Sequence, residues 1–327
     1  MKFISIVVPV YNEADNLLHF SSAIHQAMAP LPYQYQLLFI NDGSTDNSLS
    51  LLQQLQAKDE HIHYISLSRN FGHQAALTCG LDQADGDAII TMDGDMQHPP
   101  ALLPRLLHEW EHGADIVQTI RESTEGVSVF KRLTSRFYYR LLNDLSDVPI
   151  QPGGSDFRLM DRRAVEALKH YREQARFIRG IVGSLGFRQV KINFTAPPRF
   201  AGTSKFSLHK MITFALNGIL ANSIIPLRLS FYGGCLSACI SLLLLAHVFV
   251  AYWLDDAVPG WATIMVCLSF FGGIQLMMLG IVGEYIGRIF AEVKGRPLYL
   301  IGQDSRIQHA NTNQGGIMHE ADHPECR

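Results

Sequence analysis

Asp93 and Asp95 stand one residue apart, with Gln97 two further on, where the apolar run Ile89-Ile90-Thr91-Met92 ends and Pro99-Pro100 forbids a strand to continue. In an extended segment residues i and i+2 point the same way, so the three side chains are expected to converge on one point. Three oxygen donors suit a hard divalent cation, Mg²⁺ or Mn²⁺. Such an ion would complete its coordination on a substrate diphosphate, because the chain supplies too few ligands for six. The competing reading is a polar turn after a strand.

The surrounding chain supplies the elements that would hold such a site. Phe3 to Val10 reads as a fully buried parallel strand, followed by the loop Tyr11-Asn12-Glu13 and a helix that carries Leu17, Leu18 and Ile24. Leu37 to Ile40 is a second buried strand, closed by Asn41-Asp42-Gly43-Ser44-Thr45-Asp46. Asp46 is placed to cap the helix over 48–56, and Asp42 stands at the carboxyl end of its strand, where open α/β sheets place their ligands. His63 to Leu67 is a third strand, leading through Arg69-Asn70-Phe71-Gly72-His73-Gln74 into a helix starting near Ala75. The strand bearing Asp93 is the fourth.

This rhythm predicts an α/β fold, a doubly wound sheet with helices on both faces and the active crevice along one edge. Beyond Pro104 the pattern predicts a helix to about Glu111, a strand from Ala114 to Ile120 ending at Arg121, and a basic amphipathic helix over 131–142. An edge strand then follows the Gly153-Gly154 turn and carries Asp156, with a helix from Arg162 to about His170. Helical residues from Arg176 to Leu185 precede a strand from Gln189 to Phe194, and an irregular basic loop runs over 197–206.

The 327 residues carry a formal net charge of -3 and no basic block interleaved with aromatics, so nothing argues for a nucleic-acid partner. The five cysteines show no ligand spacing, and three lie in apolar runs, which reads as buried reduced thiols in a reducing compartment. The chain enters a strand at once, without the charged and then apolar profile of a secretory signal, which argues against export of this part.

From Ser207 the character changes. Met211, Ile212, Phe214, Leu216, Ile219 and Leu220 form an apolar face that suits a helix in the membrane interface or one packed on a core. Leu229 to Leu254 and Trp261 to Val282 are each long and apolar enough to cross a bilayer, and the short acidic turn between them makes them a hairpin. Lys205, Lys210 and Arg228 flank one outer end, and Arg288, Lys294 and Arg296 the other, so both termini and the sheet are expected to be cytoplasmic. The expected segments are a catalytic domain over 1–206, interfacial helices over 207–227, a transmembrane hairpin over 228–290, and a partly disordered tail over 291–327, polar after Gln303. Gly233-Gly234 or Gly272-Gly273 could pack the hairpin into a homo-oligomer.

Val8-Pro9-Val10-Tyr11-Asn12-Glu13, Asn41-Asp42-Gly43-Ser44-Thr45-Asp46, Asn70-Phe71-Gly72-His73, Asp93-Gly94-Asp95-Met96-Gln97 and Arg199-Phe200-Ala201-Gly202-Thr203-Ser204-Lys205, in that order, resemble the family 2 glycosyltransferases. Specifically they look like the group that glycosylates polyprenyl phosphates, and the likeness extends through Gly283-Glu284-Tyr285-Ile286-Gly287-Arg288. The Gln-x-x-Arg-Trp stretch of the processive polysaccharide synthases is absent, and none of Trp110, Trp253 or Trp261 sits in such a context, which implies one sugar per turnover.

The resemblance implies a GT-A fold at an inner membrane and a nucleotide-sugar cradle of Pro9, Tyr11, Asn12, Glu13, Asp42, Asp93 and Gly94. It also implies a metal on Asp93, Asp95 and Gln97, and an acceptor-phosphate group of Arg121, Arg132, Ser135, Arg199 and Lys205. Asp156, with Arg121 and Arg199, is implied near the reaction centre. UDP-glucose is the first choice of donor and polyprenyl (undecaprenyl) phosphate of acceptor, with an aminoarabinose-type sugar, an N-acetylhexosamine or GDP-mannose behind. Rival readings are a transferase with another acceptor and an inactive nucleotide-sugar-binding scaffold. Retention of Asp93, Asp95 and Gln97 with the basic loop argues against the scaffold.

Overall fold

The computed structural model of the chain describes residues 1–122, 154–195, 225–253 and 260–307. Four strands built around short apolar runs, β1 (Phe3–Val10), β2 (Gln34–Asn41), β3 (Ile62–Leu67) and β4 (Ala88–Thr91), pair in parallel as β4-β1-β2-β3. Such runs are buried on both faces, and side-chain alternation sends each strand into two cores at once. Ile4, Ile6, Val8 and Val10 of β1 meet α1 (Ala14–Met28), α2 (Ser48–Lys58) and α4 (Leu103–Glu111) on one face. Val7, Ile40, Ile65 and Ile89 meet α3 (His73–Gln83), α5 (Arg162–Lys169) and α6 (Ile178–Ser184) on the other. The expected winding on both faces is therefore present, although Leu18 of α1 points outward, 59% exposed.

Beyond β4 the sheet turns mixed. β5 (Ile116–Glu122), β6 (Gly154–Asp161), β7 (Gln189–Thr195) and β8 (Ile301–Asp304) complete the order β7-β5-β6-β4-β1-β2-β3-β8. β6 runs antiparallel to both β4 and β5, while β7 pairs in parallel with β5. The edge-strand expectation for β6 is corrected. It is paired on both sides and buried from Ser155 to Met160, and the charge of Asp156 is met inside the sheet by Arg158.

The disordered tail is corrected in part. β8 pairs antiparallel with β3, and Ser68 N donates to Leu300 O at 2.9 Å. Ser305 Oγ accepts from Tyr64 N, and Arg306 binds Asp304 together with the main chain and side chain of Gln83. Residues 308–327, the 131–142 helix, the 197–206 loop, the hairpin turn and most of 207–227 lie outside the described residues.

The sheet and its helices form one compact unit, and the two apolar helices belong to a second. Within that second unit α7 (Ile225–Trp253) and α8 (Trp261–Val293) are both long and apolar enough to cross a membrane, and α8 runs past the Val282 end that the sequence indicated. A Cβ added at Gly233 would come within 2.9 Å of Met278 Cε, so this glycine is used within the hairpin. Gly272 and Gly273 have nothing within 4 Å of such a Cβ.

Candidate active site

Because β1 to β4 are parallel, their carboxyl ends lie along one border of the sheet. The register of antiparallel β6, with Arg158 opposite Thr91, carries Ser155 and Asp156 to that same border. Thr91 Oγ1 fixes the junction by donating to Asp156 O at 2.5 Å. Parallel β5 delivers Arg121 there from the other side.

Loops after β1 and β2 are stitched together by the cradle residues themselves. Asn12 takes a left-handed conformation, φ 56°, which asparagine tolerates better than most residues. Its Oδ1 accepts from Thr45 N at 2.8 Å, and its own N–H donates to Ser44 Oγ at 3.0 Å. Glu13 N donates to Ser48 Oγ, and Asp46 accepts from both Ala14 N and Ser48 N, the second of these at the start of α2. Pro9 is half-buried, and Tyr11 is exposed beside them.

Asp42 is only 3% exposed, and its carboxylate accepts from Phe71 N at 2.7 Å and Gly72 N at 2.9 Å. Burial pushes its pKa up, against the pull of those two N–H groups and of His73 and Arg69. Gly43 beside it has φ +63°, and an added Cβ would meet the Arg69 carbonyl carbon at 2.4 Å, so the loops after β2 and β3 touch only because this residue is glycine.

The extended geometry expected for Asp93, Asp95 and Gln97 is corrected. β4 ends at Thr91, and a turn follows through Gly94 and Asp95 with Met96 at φ 62°. Asp95 Oδ1 accepts from Gln97 N, and the Gln97 side-chain oxygen accepts from Arg121 Nη2 at 3.0 Å. Asp93 is instead positioned through His98, whose Nδ1 accepts the Asp93 N–H at 2.9 Å. That leaves the ring proton on Nε2, 2.6 Å from Ser155 Oγ. His98 is buried and stacked on Phe157, and burial lowers its pKa despite the nearby Asp93 and Asp95, so it stays neutral. A Cβ added at Gly94 would meet Val8 Cγ1 at an ordinary 3.4 Å.

Four side chains form a chain of alternating charge across the border. Asp93 Oδ1 lies 3.7 Å from His73 Nε2, which lies 3.5 Å from Asp156 Oδ2. Arg179 Nη2 and Nε bind Asp156 Oδ2 and Oδ1 at 2.8 and 2.9 Å. Arg158 Nη2 adds 3.0 Å to Oδ1 from below, fully buried in the sheet. Burial alone would raise the Asp156 pKa, but His73, Arg179 and Arg158 hold it well below the ordinary carboxyl range. Burial likewise opposes charge on His73, and the carboxylates of Asp156 and Asp93 outweigh it, so its pKa is raised.

The structure thus brings together Pro9, Tyr11, Asn12, Glu13 and Asp42 on one side and Asp93, Gly94, Asp95, Gln97, Arg121 and Asp156 on the other. Arg132, Ser135, Arg199 and Lys205 lie outside the described residues. Reasoning from sequence did not assign His73, His98, Arg158 or Arg179. His73 ended a noted motif, His98 follows Gln97 directly, and Arg158 shares a strand face with Asp156 by the period of two. Arg179 arrives from another helix with no local signal.

The mixed sheet, parallel through β4-β1-β2-β3 and ending in a carboxylate-bearing turn, is of the GT-A type. A family description, Glycosyl transferase family 2, matches residues 5–169, and another, the GtrB C-terminal hairpin, matches residues 225–289. An uncharacterized glycosyltransferase of Synechocystis is 41% identical over 302 residues, covering 91% of this chain and 94% of that protein. A prophage-derived bactoprenol glucosyl transferase of Shigella flexneri is 38% identical over 304 residues, 93% of this chain and 98% of that protein. The crystal structure of a mannosyl-3-phosphoglycerate synthase from Rubrobacter xylanophilus aligns at a TM-score of 0.46, with 18% identity, over 66% of this chain and 71% of that one. The chain belongs to glycosyl transferase family 2 and is a glycosyltransferase.

Proposed function

We propose that the protein transfers one sugar from a nucleotide sugar, UDP-glucose first among donors, to polyprenyl phosphate at the cytoplasmic face of a membrane. The observation that carries this reading is the near full-length similarity to bactoprenol glucosyl transferases, which spans both the sheet domain and the apolar hairpin. Under it, residues 1–206 are the catalytic domain and 228–290 cross the membrane with both ends cytoplasmic, holding the enzyme where a lipid phosphate lies. One sugar per turnover follows from the absent processive motif.

In the reaction an acceptor phosphate oxygen forms a bond to the anomeric carbon from the face opposite the nucleotide. The bond from that carbon to the diphosphate breaks, UDP leaves with the electron pair, and the configuration inverts. A phosphate monoester, with a second pKa near 6, is already mostly dianionic at neutral pH, so the nucleophile needs little help from a base. The protein's work is to position two anions and to offset their repulsion. Pro9, Tyr11, Asn12, Glu13 and Asp42 line or brace the nucleotide side; Arg121, and by family likeness Arg132, Ser135, Arg199 and Lys205, face the acceptor.

Asp93 and Asp95 are the oxygen donors for Mg²⁺ or Mn²⁺, while the Gln97 oxygen is engaged by Arg121. Two carboxylates are too few for six-coordination, so the diphosphate and water would complete the site. An ion bound there would stabilise the charge developing on the leaving diphosphate.

The test incubates membranes carrying the protein with labelled UDP-glucose and polyprenyl phosphate, with and without a chelator. Label should appear in a lipid-linked monosaccharide and vanish on chelation. Label remaining on the nucleotide, or passing to a different acceptor, would overturn the proposal.

A further inference from the structure

The turn that carries Asp93 and Asp95 needs outside support. Met96, within it, is a non-glycine residue with a left-handed backbone at φ 62°, a costly conformation that persists only where the surroundings impose it. Asp95 Oδ1 accepts from Gln97 N at 3.1 Å, a bond inside the turn that ties it to nothing else. His98 makes the tie to the sheet. Its Nδ1 accepts from Asp93 N at 2.9 Å, and its Nε2 lies 2.6 Å from Ser155 Oγ on β6, one residue before Asp156. One ring thus spans from the end of β4 to the neighbouring strand, beside the bond from Thr91 Oγ1 to Asp156 O.

That ring is out of reach of any substrate. It is 4% exposed, stacks on Phe157 with centroids 5.2 Å apart, and meets the Phe194 ring edge-on at 6.2 Å. Because Nδ1 receives the Asp93 N–H, the ring proton is on Nε2 and is donated to Ser155 Oγ, which also accepts from Phe157 N at 3.1 Å. The Asp93 carboxylate itself is left open. His98 Nε2 stands 3.7 Å from Oδ2 and His73 Nε2 3.7 Å from Oδ1, both beyond hydrogen-bond reach. The main chain of Asp93 is therefore held while its oxygens stay available to a cation.

We propose that His98 is a positioning residue that sets how tightly the site takes its divalent cation: Ser155 aims the ring through Nε2, and Nδ1 fixes the Asp93 main chain so that the carboxylate is already in place for the ion. This rests on the metal-dependent transfer proposed above and adds the residue that governs the metal. Losing a group that orients a metal's ligand typically weakens affinity by about ten- to a hundredfold. A ring that only fills space between Phe157 and Phe194 would instead affect stability alone, and the two roles are separated by experiment.

Full-length detergent-purified protein is titrated with Mn²⁺ in the presence of UDP, free Mn²⁺ being read by electron paramagnetic resonance, and Tm is measured alongside. Asparagine ends where Nδ1 stands and can accept the Asp93 N–H, whereas glutamine carries its amide to the place of Nε2. Both lose the ring stacked on Phe157, so His98→Asn and His98→Gln should lower Tm by similar amounts. Their metal affinities should part, with His98→Gln about tenfold weaker than wild type and His98→Asn within about threefold. Ser155→Ala removes one oxygen and keeps the ring with its stacking, and should weaken Mn²⁺ by about threefold or more.

Equal Mn²⁺ affinities in the two His98 variants would refute the assignment and make the ring a packing residue. If neither His98 variant folds, Ser155→Ala decides the matter, and a wild-type Mn²⁺ affinity in it would refute the assignment just as plainly. Absence of Mn²⁺ binding by the wild type would sink the metal-dependent reading and this assignment with it, whereas wild-type binding with indifferent variants sinks only the role given to His98.

Discussion

Replacing Asp42 with alanine removes two hydrogen bonds from a buried carboxylate to the backbone of the loop after β3. Bonds of this kind contribute about 1.5–3 kcal/mol each, but the raised pKa shows that burying the charge already consumes part of that gain, so about 2–3 kcal/mol in total is expected. For a domain of this size that corresponds to a fall in Tm of roughly 5–10 °C. Asparagine keeps one acceptor and turns a donor toward the second N–H, so Asp42→Asn should lose about half as much.

The pH dependence has a fixed sign. A folded pKa above the ordinary 3.8 means that this group's contribution is full below 3.8 and is lost as pH rises through the folded value. The gap in Tm between wild type and Asp42→Asn should therefore be widest in acid and narrow toward neutrality. The assay is scanning fluorimetry of purified protein in detergent, paired with calorimetric UDP titration. An alanine variant that melts with the wild type but no longer binds UDP would refute the clamp and make Asp42 purely a ligand contact.

Two further outcomes follow from the packing. Gly43→Ala should destabilise by at least about 1–2 kcal/mol from its left-handed backbone alone, before the clash with Arg69, whereas Gly94→Ala, in ordinary contact with Val8, should melt within about 2 °C of wild type; equal losses would contradict this. Arg306→Ala removes the hydrogen bonds that hold Asp304 and Gln83 together, and should speed hydrogen exchange in β8 and in the amides of β3 that it covers, with α1 unchanged.

The parallel half of the sheet was legible because strands covered on both faces are built around short apolar runs, and β1 to β3 fell within a few residues of their expected limits. The turn at Asp93 was not, since alternation says which way side chains point in a strand but not where the strand stops. Here it stops at Thr91, and His98 fixes the backbone beyond it. β6 was read as an edge strand, and only the fold shows it paired on both sides, with Arg179 brought to Asp156 from a separate helix. β8 has a weak pattern, Ile-Gly-Gln-Asp, and owes its extended form to the unpaired border of β3 rather than to its own side chains. The mutual satisfaction of Asn12, Ser44 and Thr45 likewise needs two loops that are distant in sequence.

The strands that border the sheet, β7 and β8, are the last before the apolar hairpin and the first after it. Among the described residues a growing chain therefore makes β1 to β7, then two greasy helices, and only then the piece that covers β3. At ordinary elongation rates the helices take on the order of ten seconds to emerge, and through that interval the row of N–H and C=O groups along β3 stays open to stray pairing. Manufacture of the apolar hairpin thus comes before completion of the catalytic body, and a nascent product interrupted between the two would carry a raw, adhesive flank.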